Sequence, residues 1–280
     1  MTNRKLILVE GIPGSGKTTT AVFVADWLQK RGMKTAVFPE GNLDHPADFE
    51  SVACLDSQEF ANLKAQFPSD AAFLEKAALK DGEDIFFHYR ALQQTNPGLS
   101  AALLAALACY EIYELPAAKF RRLLLRRWQR FAADAAAENV IYIFECCFLQ
   151  NPLTMLLGRH DEPVAEANDF ILELAASVQI LQPRWLYLNP GDVRTTLTNV
   201  AQTRPPEWLD FVIAYHTQQG HGKAQGWQGF DGMVRFYEMR QAIELALLPQ
   251  LPFPGLLVQH TNWTVDQSQI ADFLAKTYPS

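Results

Sequence analysis

Five short apolar runs recur along the chain, separated by longer stretches of mixed character. They are Lys5–Val9 (KLILV), Lys34–Phe38 (KTAVF), Val140–Phe144 (VIYIF), Arg184–Leu188 (RWLYL) and Gly255–Gln259. Unbroken apolar runs of this length read as strands buried on both faces of a parallel sheet. Between the first two lies Thr18–Lys30, where Ala21, Val24, Ala25 and Leu28 share one helical stripe and Arg31-Gly32 supplies the stop. This is a βαβ unit starting at residue 5, which implies a right-handed crossover. Further helices are predicted over Ala117–Ala137, Pro163–Gln182, Phe230–Leu248 and Val265–Lys276.

Two regions break the alternation. Residues 42–118 read as helices over Ala47–Phe67, Asp70–Leu79, Glu83–Gln94 and Leu99–Tyr110. No Gly/Ser-rich linker flanks them, so they are expected to be a helical insertion within one domain spanning 1–280. Residues 204–232 are rich in Gly, Pro and Gln, with five glycines from Gly220 to Gly232. That composition predicts a mobile lid loop. The expected fold class is α/β, a three-layer sandwich around a mostly parallel five-stranded sheet.

Composition narrows the class. A chain of 280 residues makes one large domain or two small ones. Apolar types at 49% and charged types at 20% are ordinary for a water-soluble globular protein. The longest near-continuous apolar run, Ala101–Tyr110, is far short of the roughly 20 residues of a membrane helix. The amino terminus lacks the apolar segment and cleavage site of a signal peptide, so a cytoplasmic protein is expected. The net charge of −7 argues against a nucleic-acid footprint. Charge is uneven: Gly41–Tyr89 carries ten Asp/Glu against three Lys, and Lys119–Arg130 carries six bases and no acid. Cys54, Cys109, Cys146 and Cys147 show no zinc-ligand spacing, and free thiols in a reducing setting are expected.

Residues 11–18, GIPGSGKT, fit G-x-x-x-x-G-K-[ST] in full, with a strand before and a helix after. Gly11, Gly14 and Gly16 let the backbone wrap an anion. The amides of Pro13's successors through Ser15, Gly16, Thr18 and Thr19 then line a phosphate nest at a helix N-terminus. Lys17 brings a point charge to the β- and γ-phosphates, and the Thr18 hydroxyl is a Mg²⁺ ligand. The loop therefore predicts ATP and Mg²⁺ as cofactors.

The segment ILVEGIPGSGKTT resembles the opening of thymidylate kinases and deoxyribonucleoside kinases, which also place Glu-Gly before the loop. Element order is similar across most of the chain, least so over 42–118. The resemblance implies a P-loop kinase with the strand order of that class. It implies a nucleoside or nucleotide acceptor and an arginine-bearing lid after the fourth strand. Two departures stand out. Pro13 replaces the usual Asp of thymidylate kinases, and Cys146 stands where those families carry Arg after the strand-end acid.

Strand-end carboxylates face the ligand crevice of a parallel sheet. Glu145 is therefore a candidate Mg²⁺ ligand. Glu40 is placed near the γ-phosphate if its strand lies beside the loop strand, and the resemblance makes it the base on the acceptor hydroxyl. Asp44 and His45 are weaker substrate candidates. Arg204, before Pro205-Pro206, matches the start of the lid and is a candidate catalytic cation; Arg194 and Lys223 are alternatives. Arg122, Arg126 and Arg130 share one helix face and suit either a solvated surface or an anionic ligand. Phe87–Arg90 and Tyr110–Glu114 suit base stacking or plain helix packing.

The function this predicts is transfer of the ATP γ-phosphate to a small-molecule acceptor, without nucleic acid or membrane. A kinase of an antibiotic or other metabolite is an alternative. So is an ATP hydrolase coupled to a partner, although no N-K-x-D and no tandem acid pair support it. A homodimer is compatible with all of these.

Overall fold

The computed structural model describes residues 4–259 and 263–279. The chain forms two compact units, one of residues up to Glu40 together with those from Leu125 on, the other of Gly41–Leu124. The first unit opens with β1 (Leu6–Gly11), α1 (Lys17–Gln29) and β2 (Thr35–Phe38). All six residues of β1 are buried, as the apolar run requires of a central strand.

The second unit contains β3 (Val52–Leu55), α2 (Ser57–Gln66), α3 (Ala71–Ala77), β4 (Leu79–Asp81), β5 (Asp84–His88), α4 (Tyr89–Thr95) and α5 (Ala101–Ala108). Its strands pair antiparallel in the order β3-β5-β4, so the all-helical reading of 42–118 is corrected. Two local signals explain the strands. Gly82-Glu83 makes a two-residue hairpin between Asp81 and Asp84, with Gly82 at φ 63°, the positive φ that the first central position of a Gly-X turn demands. Asp56 accepts from the amides of Gln58 and Glu59, while Glu59 accepts from the Asp56 amide. That capping box starts α2 at residue 57, so the expected helix over 47–67 cannot extend back through Val52–Leu55. Ala53, Leu55, Phe60, Leu74, Phe87 and Leu103 form the unit's own apolar core.

Helix α6 (Ala117–Ala137) is continuous across the boundary, as its periodicity predicts. The first unit then resumes with β6 (Ile141–Glu145), α7 (Gln150–Leu153), a π-helical turn over Thr154–Arg159, and α8 (Val164–Ser177). After these come β7 (Arg184–Asn189), α9 (Val193–Thr203), α10 (Pro206–Thr217), α11 (Gly220–Ala224), α12 (Gly229–Leu247), β8 (Gly255–Gln259) and α13 (Trp263–Thr277). The five-stranded sheet has the order β2-β6-β1-β7-β8, and every pair is parallel.

Side-chain alternation sorts the sheet's two faces. Ile7, Val9, Ile143, Leu186 and Leu188 pack with Val24 and Leu28 of α1 and Leu274 of α13. On the other face Phe144 meets Trp128 and Phe131 of α6, with ring centroids 5.8 and 4.8 Å apart. The result is helix, sheet, helix.

The segment 204–232, expected as a loop, is mostly helical. It consists of α10, α11 and the start of α12. Three of its glycines, Gly220, Gly222 and Gly232, sit in close contact with neighbouring atoms, whereas Gly226 and Gly229 have positive φ and open space. A Cβ on Gly222 would lie 1.8 Å from the His216 carbonyl oxygen, and one on Gly220 would lie 2.0 Å from that of Gly158. Among the described residues, no helix is long and apolar enough to cross a membrane.

Candidate functional site

The strand order decides where a ligand fits. From β1 the chain crosses to β2 at one edge, and from β7 it crosses to β8 at the other. Oppositely directed crossovers open a crevice outside the carboxyl ends of β1 and β7. The Gly11–Thr18 segment leaves β1 at that crevice. Gly11, Gly14 and Gly16 have φ of 142°, 81° and 91°. Gly16 caps α1 in the left-handed region with open space where a Cβ would be, so the requirement there is conformational.

Lys17 is 4% exposed, and its Nζ donates to the carbonyls of Gly11 (3.1 Å) and Ile12 (2.9 Å). The ammonium is thereby held inside the curve of its own loop. Thr18 and Thr19 face solvent, Pro13 is half-buried and Ser15 is buried. The Thr18 hydroxyl donates to Glu145 Oε1 at 2.7 Å. Glu145 ends β6, which pairs directly with β1. Its other oxygen, Oε2, is buried and makes no hydrogen bond. Burial pushes the Glu145 carboxyl above its ordinary value and the Glu40 charge adds to this, while the Thr18 bond and the Lys17 charge oppose it.

Glu40 arrives by a different route from the one expected. Its strand β2 is not beside β1; β6 lies between them. The carboxylate nonetheless reaches the end of β6. Its Oε1 accepts from Gln150 Nε2 at 3.0 Å and its Oε2 accepts from the Cys146 thiol at 3.4 Å. Ligand atoms of Glu40, Glu145 and Cys146 all lie within 4.8 Å of one another.

Glu10 is a site-forming residue that the sequence reading did not assign. It is 1% exposed and accepts from the amides of Phe148 (2.9 Å) and Gln150 (3.1 Å). It so clamps the segment after β6 that carries Cys146 and Gln150. Burial, only partly offset by those amides, pushes its carboxyl up to about 7. The signal was a lone carboxylate closing an otherwise apolar strand. Behind it lies a second buried group: Tyr187 donates to Glu244 at 2.6 Å, Arg240 Nε is 3.1 Å from Glu244, and Arg240 donates to Thr154 at 2.7 Å.

The other candidates are placed as follows. Arg204 is exposed after α9, with its guanidinium over the Trp208 ring at 5.8 Å. Arg194 pairs with Asp231 at 2.7 Å on the surface, and Lys223 is exposed on α11. Arg122 pairs with Asp84 through two bonds of 2.7 and 2.8 Å, which gives it a structural role. Arg126 is half-buried and Arg130 exposed further along α6. Asp44 and His45 belong to the Gly41–Leu124 unit, where His45 Nδ1 accepts from the amides of Ala47 and Asp48. Tyr89 donates to Glu111 at 2.6 Å and Tyr113 to Asp48, so both hydroxyls serve internal bonds.

Compared with the models of known protein families and with curated proteins, the chain matches none. The functional reading therefore stands on geometry and on the loop motif.

Proposed function

We propose that the chain is a P-loop phosphotransferase that moves the γ-phosphoryl group of ATP to a small-molecule acceptor, with a nucleoside or nucleotide as the acceptor class. The observation that carries this reading is the Thr18–Glu145 hydrogen bond of 2.7 Å, which joins the end of the glycine loop to the acid of the neighbouring strand. Such a hydroxyl–carboxylate pair is the donor set for a hard divalent cation beside a nucleotide phosphate. The buried, unbonded Glu145 Oε2 fits the same role, because a buried carboxylate oxygen without a partner is costly unless something positive meets it. When bound, Mg²⁺ supplies charge neutralisation across the β- and γ-phosphates.

The chain's own residues supply the rest. Loop amides and the α1 N-terminus hold the phosphates. Lys17, already inside the loop, moves its ammonium from the Gly11 and Ile12 carbonyls to phosphate oxygens. Glu40, exposed just past β2 and oriented by Gln150 at the end of β6, accepts the proton of the acceptor hydroxyl. Arg204 is the candidate cation from α9 for the migrating phosphoryl group. The reading is tested with γ-labelled ATP against nucleosides, nucleoside monophosphates and aminoglycoside-like metabolites. Label should pass to one acceptor class, and Lys17→Ala should lower turnover by at least about 10²-fold, equivalent to about 3 kcal/mol. Label released only as free phosphate for every acceptor would replace the kinase reading by hydrolysis.

A further inference from the structure

Cys146 has features that phosphoryl transfer with Mg²⁺ does not require. It is fully buried and sits in the left-handed region at φ 69°, a conformation rare for any residue with a side chain. Its amide donates to the Val9 carbonyl at 3.2 Å and its carbonyl accepts from Asn151 at 3.0 Å, so the turn is fixed from both sides. Glycine would be the unstrained choice there. Strain retained at a functional crevice marks a side chain whose position matters. What the turn achieves is to aim a sulfur at Glu40 and to bring it into one cluster with Glu145.

We infer that Glu40, Glu145 and Cys146 form a site for a thiophilic divalent cation, Zn²⁺ in the first place. The geometry points to this ion class. Zinc bonds of about 2.3 Å to sulfur and about 2.0 Å to carboxylate oxygen put two tetrahedral ligands about 3.5 Å apart. The Cys146 Sγ to Glu40 Oε2 separation is 3.4 Å. The separation limit of 4.8 Å for the whole trio leaves at most about 1.5 Å to close on the Glu145 side. Glu145 contributes a carboxylate oxygen to the trio, and its Oε2 is buried without a side-chain partner. Three protein ligands and one water complete four-coordination, and the exposed Glu40 gives the entry path. On binding, the zinc–sulfur bond forms as the Cys146 thiol proton leaves to solvent. Magnesium takes oxygen ligands and gains nothing from the thiol, so the third ligand separates the two ions.

Zinc binding stands independently of the proposed activity. One consequence rests on that reading: because Glu145 is shared, bound zinc blocks the magnesium position and inhibits transfer. The test uses the full chain stripped of metal by chelation, titrated with Zn²⁺ alone against a chromophoric chelator and with Co²⁺ as a spectroscopic probe. We expect one ion per chain and a thiolate-to-cobalt charge-transfer band. Cys146→Gly suits the left-handed turn and so preserves the fold, which circular dichroism and thermal melting check. It should abolish the band and weaken zinc at least about tenfold. Glu40→Gln, at an exposed position, should weaken zinc while keeping the band. Cys109→Ser, at an exposed cysteine outside the cluster, should change nothing. Absence of zinc binding, or binding and a band that survive Cys146→Gly, would overturn the inference. Zinc binding in a chain that transfers no phosphate would leave the inference standing and remove only the kinase reading.

Discussion

Acidification from pH 7.5 to 4.5 pulls on two buried groups in opposite directions, and variants can separate them. His216 is 3% exposed, stacked on Phe236 at 4.2 Å, with Nε2 3.2 Å from the Tyr237 hydroxyl. Burial, reinforced by the Arg240 charge, lowers it from 6.5 to about 3. Its folded pKa is depressed, so the unfolded chain binds the proton first. Stability from this group is complete above pH 6.5 and falls as pH drops towards 3; by pH 4.5 about 2.5 kcal/mol is lost. Glu10 runs the other way. Its folded pKa is raised from 4.5 to about 7, so the unfolded chain ionises first as pH rises. At pH 7.5 this costs about 3 kcal/mol, nearly all of which returns by pH 4.5. In the wild-type chain the two terms almost cancel. His216→Phe keeps the stack without the titration, and its stability should rise on acidification by about 2.5 kcal/mol relative to wild type. Glu10→Gln should fall by about 3 kcal/mol relative to wild type over the same interval. Urea unfolding of the three proteins at both pH values measures this, since all other titrations are shared and cancel in the differences. Parallel pH dependence in all three proteins would refute the assignment of buried, shifted groups at these positions.

Glu145→Gln should raise the Mg²⁺ concentration needed for turnover, because an amide is a poorer ligand for a hard cation; kinetics at varied Mg²⁺ checks this. Glu40→Gln should lower kcat by roughly 10²–10⁴ with ATP affinity nearly intact and remove the acidic limb of the pH–rate profile. If both variants shift metal dependence alike and neither changes the pH profile, Glu40 is a metal ligand rather than the base. Gly222→Ala should destabilise by about 3 kcal/mol or more, since its Cβ would meet the His216 carbonyl oxygen at 1.8 Å; thermal melting reads this out. Residues 218–232 should resist proteolysis in the free wild-type chain and become cleavable in that variant, because opening there must break packed helical contacts.

Much of this protein was legible because its signals are local. Strand runs such as Leu6–Gly11 and Ile141–Glu145 are buried whichever neighbour they take, so apolar continuity alone identifies them. The 21 residues of α6 carry their own 3.6-residue period. The run from Gly11 to Thr18 is recognisable from the spacing of its glycines, Lys17 and Thr18, and Thr18 meets Glu145 from the first turn of α1, at the end of β6. Asp56–Glu59 and Asp81-Gly82 are equally local signals, and they mark the capping box and the hairpin that replace the helices expected over 42–118. Other features depend on what arrives from elsewhere in the chain. Placing β6 between β1 and β2 is a choice of partner, and a parallel strand carries no mark of which neighbour it will take. The glycines at 220 and 222 read as looseness in one dimension and are close contacts in three, because only the fold brings the Gly158 and His216 carbonyls against them. In the sequence Cys146 is only the residue after the strand-end acid Glu145. Its positive φ, set by the Val9 carbonyl and the Asn151 amide, turns the sulfur to Glu40, and no sequence spacing relates residue 40 to residue 146.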